Sequence, residues 1–320
     1  IYVDGNIGMP AIEIMIISTI LKKKNIVHYT RDINDKEIEN SDFVILPASI
    51  IAHETEIEAI SKLSHKKIFV TGIFATTMKE KYLTDNSIVI KNESDTFFYN
   101  LDKSDNLNLS FLNELFNKKD LINDFYSPVS LDDLPYPDWG SYAKSYPLRN
   151  DFFSLNQKIA VPLLGTRGCP YSCFFYCTYP LQQGRKVRAR SVENIIEEIR
   201  YWKKKLGTNK FVFRDPVFSI NRKHTIEFCK QVIDKELDIT FMVETHLNNL
   251  DDEMIPLLKK AGLELVYVGV ESSSHVVLKD MKRFTVEHDK QYKVIKKCED
   301  AGIKVKTMFI IGNPEDTKDT

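Results

Sequence analysis

The sequence predicts an α/β protein in two parts: an N-terminal doubly wound parallel sheet, then a partial barrel of alternating strands and helices. Three observations carry this prediction. Short apolar runs alternate with helical patterns over roughly the first hundred residues. The alternation then breaks in a stretch rich in Asn, Asp and Pro, from 101 to about 158. It resumes in five strand–helix steps of near-equal length, the rhythm of a barrel.

In the first part the candidate strands are Ile1–Asp4, Ile26–Thr30, Phe43–Pro47, Lys67–Gly72 and Ser87–Ile90. Between them lie candidate helices at Pro10–Lys23, His53–Ser64 and Thr76–Tyr82. Ligands of such sheets bind outside the carboxyl ends of the strands. Those ends are Asp4–Gly5, Pro47–Ala48–Ser49 and Thr71–Gly72–Ile73. In the middle stretch a helix is expected at Leu109–Asn117, followed by an extended connector. Leu134–Pro135–Tyr136–Pro137–Asp138 cannot continue a helix. Phe125, Tyr126, Tyr136, Trp139 and Tyr142 imply that this connector is packed down.

The second part offers strands at Ile159–Gly165, Lys210–Asp215, Ile239–Glu244, Leu263–Glu271 and Lys304–Gly312. Its helices are expected at Ser191–Leu206, Asn221–Lys235, Asp251–Ala261 and Thr285–Ala301. Ser191 and Asp251 suit N-cap positions, and Gly207, Gly262 and Gly302 each follow a helix as C-terminal caps. Six or eight strands would need more residues than follow, so the barrel is expected to be partial, truncated at the C-terminus. The domain boundaries expected are 1–102, 103–158 as linker, and 159–320.

Composition narrows the function. Lys plus Arg number 44 and Asp plus Glu 45, so no electrostatic footprint for nucleic acid or an anionic membrane exists. The basic runs Lys22–Lys24 and Lys203–Lys205 fall near helix ends, where cations complement the dipole. No apolar run is long enough to span a bilayer, and Ala11–Leu21 contains Glu13. The N-terminus shows no charged lead-in or small-residue cleavage site, so no signal peptide is expected. Three of the five cysteines crowd into one segment, which reads as a metal site in a reducing, cytoplasmic compartment rather than a disulfide framework.

That segment is Gly165–Thr166–Arg167–Gly168–Cys169–Pro170–Tyr171–Ser172–Cys173–Phe174–Phe175–Tyr176–Cys177–Thr178, directly after the first strand of the second part. Three thiolates on a cubane iron–sulfur cluster leave one iron open for an external ligand. A structural zinc site has four protein ligands. Cys229 and Cys298 fall on candidate helices and suit buried apolar positions better than a fourth ligand.

This segment resembles the signature loop of the radical S-adenosylmethionine enzymes. Further matches extend the resemblance: Arg188–Ala189–Arg190–Ser191–Val192–Glu193, Phe213–Arg214–Asp215–Pro216–Val217–Phe218, Gly269–Val270–Glu271–Ser272 and Phe309–Ile310–Ile311–Gly312–Asn313–Pro314. Leu131–Asp132–Asp133–Leu134–Pro135–Tyr136–Pro137 resembles the linker after a cobalamin-binding-type domain. Together they resemble the cobalamin-binding subgroup. The resemblance implies a Rossmann-like, cobalamin-binding-type first domain and a radical SAM barrel as the second. It implies a [4Fe-4S] cluster on Cys169, Cys173 and Cys177. It implies S-adenosylmethionine against Phe175 or Tyr176, with Glu244, His246, Glu271 and Gly312 as further cofactor contacts. Three residues separate Cys173 from Cys177 where the family usually has two, and Glu315 replaces a family glycine.

In the first domain Thr71–Gly72 stands for a family Gly-Gly and Asn92–Glu93 for a Gly-Glu. No Asp-x-His-x-x-Gly motif is present, and structural roles are expected for His28, His53 and His65. Cobalamin is then held without a protein ligand below the cobalt, or the domain has lost it. The implied activity is cleavage of S-adenosylmethionine to a 5′-deoxyadenosyl radical, with cobalamin-dependent methyl transfer to an unactivated carbon. The alternatives are a cobalamin-independent rearrangement, cyclisation or oxidation, and a non-catalytic, zinc-held binding module. A methylthiotransferase is disfavoured, because residues 1–150 contain no cysteine for a second cluster. Expected partners are a small-molecule or peptide substrate and an electron donor such as flavodoxin or ferredoxin, with no nucleic acid and no membrane.

Overall fold

Helix α1 (Ile12–Leu21) opens the described chain with an almost wholly apolar sequence, and Ile14, Met15, Ile17 and Ile20 are buried. Three later apolar runs become adjacent parallel strands: β1 (Phe43–Pro47), β2 (Lys67–Thr71) and β3 (Ser87–Val89). Val44 pairs with Ile68, and Val70 with Val89. Alternation therefore puts Val44, Leu46, Ile68, Val70 and Val89 on one face. That face packs on Ala59, Ile60 and Leu63 at the end of helix α2 (His53–Lys62). The opposite face carries Phe69, whose ring lies 5.9 Å from Phe98 of helix α3 (Ser94–Lys103) and 5.0 Å from Phe116. The sheet is thus covered on both sides, as a parallel sheet requires.

The computed structural model describes residues 11–25, 27–30, 32–118, 120, 122, 129–145, 160–173, 176–284 and 287–318. The chain divides into two units, Ile1–Gln157 and Lys158–Thr320. Of the stretch 103–158, all but Lys158 falls in the first unit.

Several expectations for that unit change. Ile1–Asp4 lies outside the described residues. Val27–Tyr29 form no strand, and Thr30 makes only an isolated bridge. The expected helix Thr76–Tyr82 is two short ones, Ile73–Thr77 and Lys79–Tyr82, broken at Met78. Within the expected extended connector, Trp139–Ser145 is helical because Trp139 and Tyr142 are fully buried there. Phe125 and Tyr126 lie outside the described residues.

In the second unit five parallel strands follow in sequence order across one sheet. They are β4 (Val161–Leu163), β5 (Lys210–Phe213), β6 (Thr240–Thr245), β7 (Leu263–Glu271) and β8 (Lys304–Phe309). Besides a short helix at Tyr179–Gln183, the helices are α4 (Val192–Leu206), α5 (Arg222–Asp234), α6 (Met254–Lys260), α7 (His275–Asp280) and α8 (His288–Asp300). Ser191, Asn221 and Asp251 accept from the backbone N–H of Asn194, His224 and Met254. Each such cap stabilises its helix by about 1 kcal/mol. Gly207 closes α4 in the left-handed conformation.

Phe211, Phe213 and Phe241 point to the helix side, and Phe213 and Phe241 each stack edge-on against Phe228 of α5. Register then puts Glu244, Tyr267 and Lys306 in one row on the opposite face. The side chains of that face therefore alternate with the core residues of the sheet. No helix among the described residues is long and apolar enough to cross a membrane.

Candidate metal centre and the strand ends around it

The cysteine loop leaves β4 at Gly165 and is tied down at once. The Gly165 N–H donates to Asp215 Oδ1 and the Thr166 hydroxyl to Asp215 Oδ2, both at 2.8 Å. Thr166–Arg167 then pairs antiparallel with Arg188–Ala189. Gly168 has φ +88°, and a Cβ there would lie 2.2 Å from the Lys186 carbonyl oxygen. Only glycine fits that crossing. The Cys169 N–H donates to Gly184 O at 3.1 Å, and the Gly168 N–H to Gln183 Oε1 at 3.0 Å.

The three thiols follow on this clamped loop. Cys169 and Cys173 are buried and Cys177 is half-buried. Burial pushes the Cys169 and Cys177 thiols up, and each feels the Cys173 sulfur. Arg283 opposes that shift at both. Its guanidinium donates to Cys173 Sγ at 3.4 Å and to Gly269 O at 2.7 Å, and it lies 3.7 Å from Glu271 Oε1. The half-buried Arg283 guanidinium works against the upward push that burial exerts on the Cys169 and Cys177 thiols.

The donor set fits an iron–sulfur cluster. Three thiols share one glycine-turned loop with a fixed cation against it. Among the described residues no three His, Cys, Asp or Glu side chains stand close enough to share one metal ion. A cubane does not require that convergence, because each thiolate binds its own iron. Cys229 on α5 and Cys298 on α8 are fully buried, and burial pushes their thiols up to about 12 and about 11. Both behave as small apolar core residues.

The other expected contacts fall into three groups. Tyr176 lies beside Cys173, and burial first, then that sulfur, push its phenol up. Phe175 lies outside the described residues. Glu271, at the end of β7, has φ +68°, a strained position for a side-chain-bearing residue. Its carboxylate crowds Gly269, where a Cβ would lie 2.1 Å from Glu271 Oε1. Burial raises Glu271 and Arg283 holds it back. Glu244 forms a separate pair with Arg214 of the neighbouring strand end, at 2.7 Å.

His246 is already committed. Its Nε2 donates to the Phe284 carbonyl at 3.1 Å, and its Nδ1 accepts from the Asn248 N–H at 3.2 Å. Its ring packs against Tyr171 and Phe284, with centroids 5.1 and 5.6 Å away. Gly312 has φ +92° with no atom within 4 Å of a Cβ position, so the space beside it is open. Next to it Asn313 is buried and its Oδ1 accepts no hydrogen bond. That orphaned acceptor fits a ligand with an amino donor. Arg283 was missed in the sequence, since no motif links it to Cys173 across 110 positions.

The sequence profile of the Radical SAM superfamily matches residues 163–320. The chain is 30% identical over 188 residues to the anaerobic magnesium-protoporphyrin IX monomethyl ester cyclase of Rubrivivax gelatinosus, covering 58% of this chain and 32% of that one. It is 32% identical to the bacteriochlorophyllide d C-8(2)-methyltransferase of Chlorobaculum tepidum, covering 49% and 36%. Among solved structures it resembles the cobalamin-dependent S-adenosylmethionine radical enzyme OxsB with aqua-cobalamin and S-adenosylmethionine bound. The TM-score is 0.73 at 18% identity, over 96% of this chain and 48% of that one. The chain spans about a third of the length of these curated relatives and about half of OxsB. Residues 163–320, with the cysteine loop at their start, belong to the radical SAM superfamily, and the chain's fold resembles the half of OxsB that it covers.

Proposed function

We propose that this chain binds a [4Fe-4S] cluster on Cys169, Cys173 and Cys177 and cleaves S-adenosylmethionine, in service of cobalamin-dependent methyl transfer to a substrate carbon. The observation that carries the reading is the clamped loop of three cysteines, with the Arg283 guanidinium against Cys173 Sγ. When bound, the cluster supplies one electron to the sulfonium, giving methionine and a 5′-deoxyadenosyl radical that takes a hydrogen atom from substrate. The protein's own part is positional. Asp215 and the Arg188–Ala189 strand hold the loop, and Arg283 balances its charge. Tyr176, Glu244, Glu271, Gly312 and Asn313 are assigned to S-adenosylmethionine, with Glu244 and Glu271 held beside Arg214 and Arg283. His246, with both nitrogens engaged, orients the Tyr171 side of the loop instead of touching ligand.

Residues 1–102 are assigned as a Rossmann-like cobalamin-binding part, 103–158 as linker and 159–320 as the radical SAM barrel. OxsB, whose fold spans 96% of this chain, carries cobalamin. In the first unit, exposed Ile50 and Ile51 follow β1. Thr71 Oγ1 at the end of β2 and Ser94 Oγ after β3 are buried and make no hydrogen bond. Apolar contact plus orphaned hydroxyls at strand ends fit a large corrin with amide side chains. His28, His53 and His65 are engaged with Asp35, the Ile50 carbonyl and Glu39, which supports cobalamin without a lower protein ligand. The likeness to a cyclase keeps a cobalamin-independent ring closure as the second reading.

The test is anaerobic reconstitution of the wild type and of Cys173→Ala. The wild type should show cluster absorbance and release 5′-deoxyadenosine; the variant should do neither. Cleavage that persists in Cys173→Ala sinks the assignment.

A further inference from the structure

The three cysteines do not have equal surroundings. Burial raises the Cys169 and Cys177 thiols, and a backbone N–H two residues on eases each, that of Tyr171 for Cys169 and that of Tyr179 for Cys177. Those groups are neutral and local. Cys173 instead meets a charged side chain from 110 positions away, where the Arg283 guanidinium donates to its Sγ at 3.4 Å.

That contact is held from several sides. The Arg283 backbone N–H donates to Leu278 O at 3.0 Å and ties the turn after α7 back to the helix. The other arm of the guanidinium donates to Gly269 O at 2.7 Å, so the protein itself orients the head group. Phe284, the next residue, stacks on Tyr171 with ring centroids 5.9 Å apart, and its carbonyl accepts from His246 Nε2 at 3.1 Å. Tyr171 lies between Cys169 and Cys173, and its hydroxyl donates to Asn249 Oδ1 at 3.1 Å. The turn that carries Arg283 is therefore packed on the segment that carries Cys173. Glu271 Oε1 lies 3.7 Å from the guanidinium, beyond hydrogen-bond reach, so the positive charge is offset only in part.

We propose that Arg283 sets the reduction potential of the cluster, acting through the Cys173 sulfur. The proposal rests on the radical reading above. Reduction adds one electron, whose charge the cluster shares with its thiolates, and no atom is transferred. A cation and an N–H donor at one of those sulfurs favour the reduced form, so they raise the potential. The cluster then accepts its electron from a weaker one-electron reductant.

The test is a redox titration without S-adenosylmethionine. Titanium(III) citrate is the one-electron reductant, and the electron paramagnetic resonance of the reduced cluster is the readout. Wild type, Arg283→Met, Arg283→Lys and Glu271→Gln are compared after iron and sulfide analysis. At the wild-type midpoint the reduced-to-oxidised ratio should fall about tenfold in Arg283→Met, a downward shift of about 59 mV for one electron. Arg283→Lys keeps the charge without the planar fork and should fall between. Glu271→Gln removes the offsetting carboxylate charge and should shift the potential upward. A general loosening of the site would not move the two variants in opposite directions. A fully loaded Arg283→Met with the wild-type potential overturns the proposal; if it has also lost affinity for S-adenosylmethionine, the arginine belongs to that cofactor. If Arg283→Met takes up no cluster, unchanged potentials in Arg283→Lys and Glu271→Gln overturn it. No cluster in the wild type sinks the radical reading and the proposal together, whereas equal potentials in loaded proteins sink the proposal alone.

Discussion

Asp215 and His246 are two buried titratable groups with opposite consequences for pH. Burial is the main cause holding Asp215 up to about 7 from 3.8, against the Gly165 and Thr166 donors. Between those values the folded state keeps a proton that the unfolded chain has released. Its stabilisation is complete below the unfolded value and is lost as pH rises through about 7. His246 is held down to about 4 from 6.5, first by burial and then by Arg283. It stays neutral while the unfolded chain charges, so stability is lost as pH falls from 6.5 to about 4. From about 4 to 6.5 the two slopes oppose each other. Asp215→Asn should therefore make stability rise more steeply with pH than in the wild type, by up to about 1.4 kcal/mol per pH unit. His246→Gln should tilt it the other way. Urea melts across that window check both, and parallel curves for all three proteins would refute the assignment.

At the scale of the element, the loop depends on one turn. In Gly168→Ala a methyl group would meet the Lys186 carbonyl at 2.2 Å in a left-handed backbone. The strain costs roughly 1–3 kcal/mol. The expected outcome is loss of cluster incorporation with strands β5–β8 and their helices still folded, read by cluster absorbance beside far-ultraviolet circular dichroism. Full cluster content in the variant would show that the turn does not shape the loop. The sequence made this element legible, because Gly168 precedes the first of three spaced cysteines at a strand end. β7 was equally legible: the apolar run from Leu263 to Glu271 is a strand at those bounds. α3 was not. Its Thr96–Phe97–Phe98–Tyr99 run has strand-like residues, and only burial against Phe69 makes it helical. The Arg283–Cys173 contact was hidden for a related reason: it joins residues 110 apart through a turn that no local pattern encodes. The burial of His246 is likewise set by Tyr171 and Phe284, which approach it from other segments.

At the scale of the whole molecule, the two units offer separate reporters. The chain has two tryptophans, Trp139 in the first unit and Trp202 in the second, each buried. Trp202→Phe leaves emission that follows the first unit, and Trp139→Phe leaves emission that follows the second. A ligand that binds only folded protein stabilises it by mass action, by about 2.7 kcal/mol at a hundred times its Kd. If cobalamin belongs to the first unit, hydroxocobalamin should move the Trp139 transition to higher urea and leave the Trp202 transition in place. The emission maximum is the readout, after spectra are corrected for absorption by the corrin. On the proposed reading, the orphaned hydroxyls of Thr71 at the end of β2 and Ser94 at the start of α3 are where the corrin would be felt. Thr71→Val keeps the shape and removes the hydroxyl, so it should reduce the cobalamin shift with little change in unliganded stability. A shift confined to Trp202, or none at either reporter, would leave the first unit without cobalamin and favour the ring-closing reading.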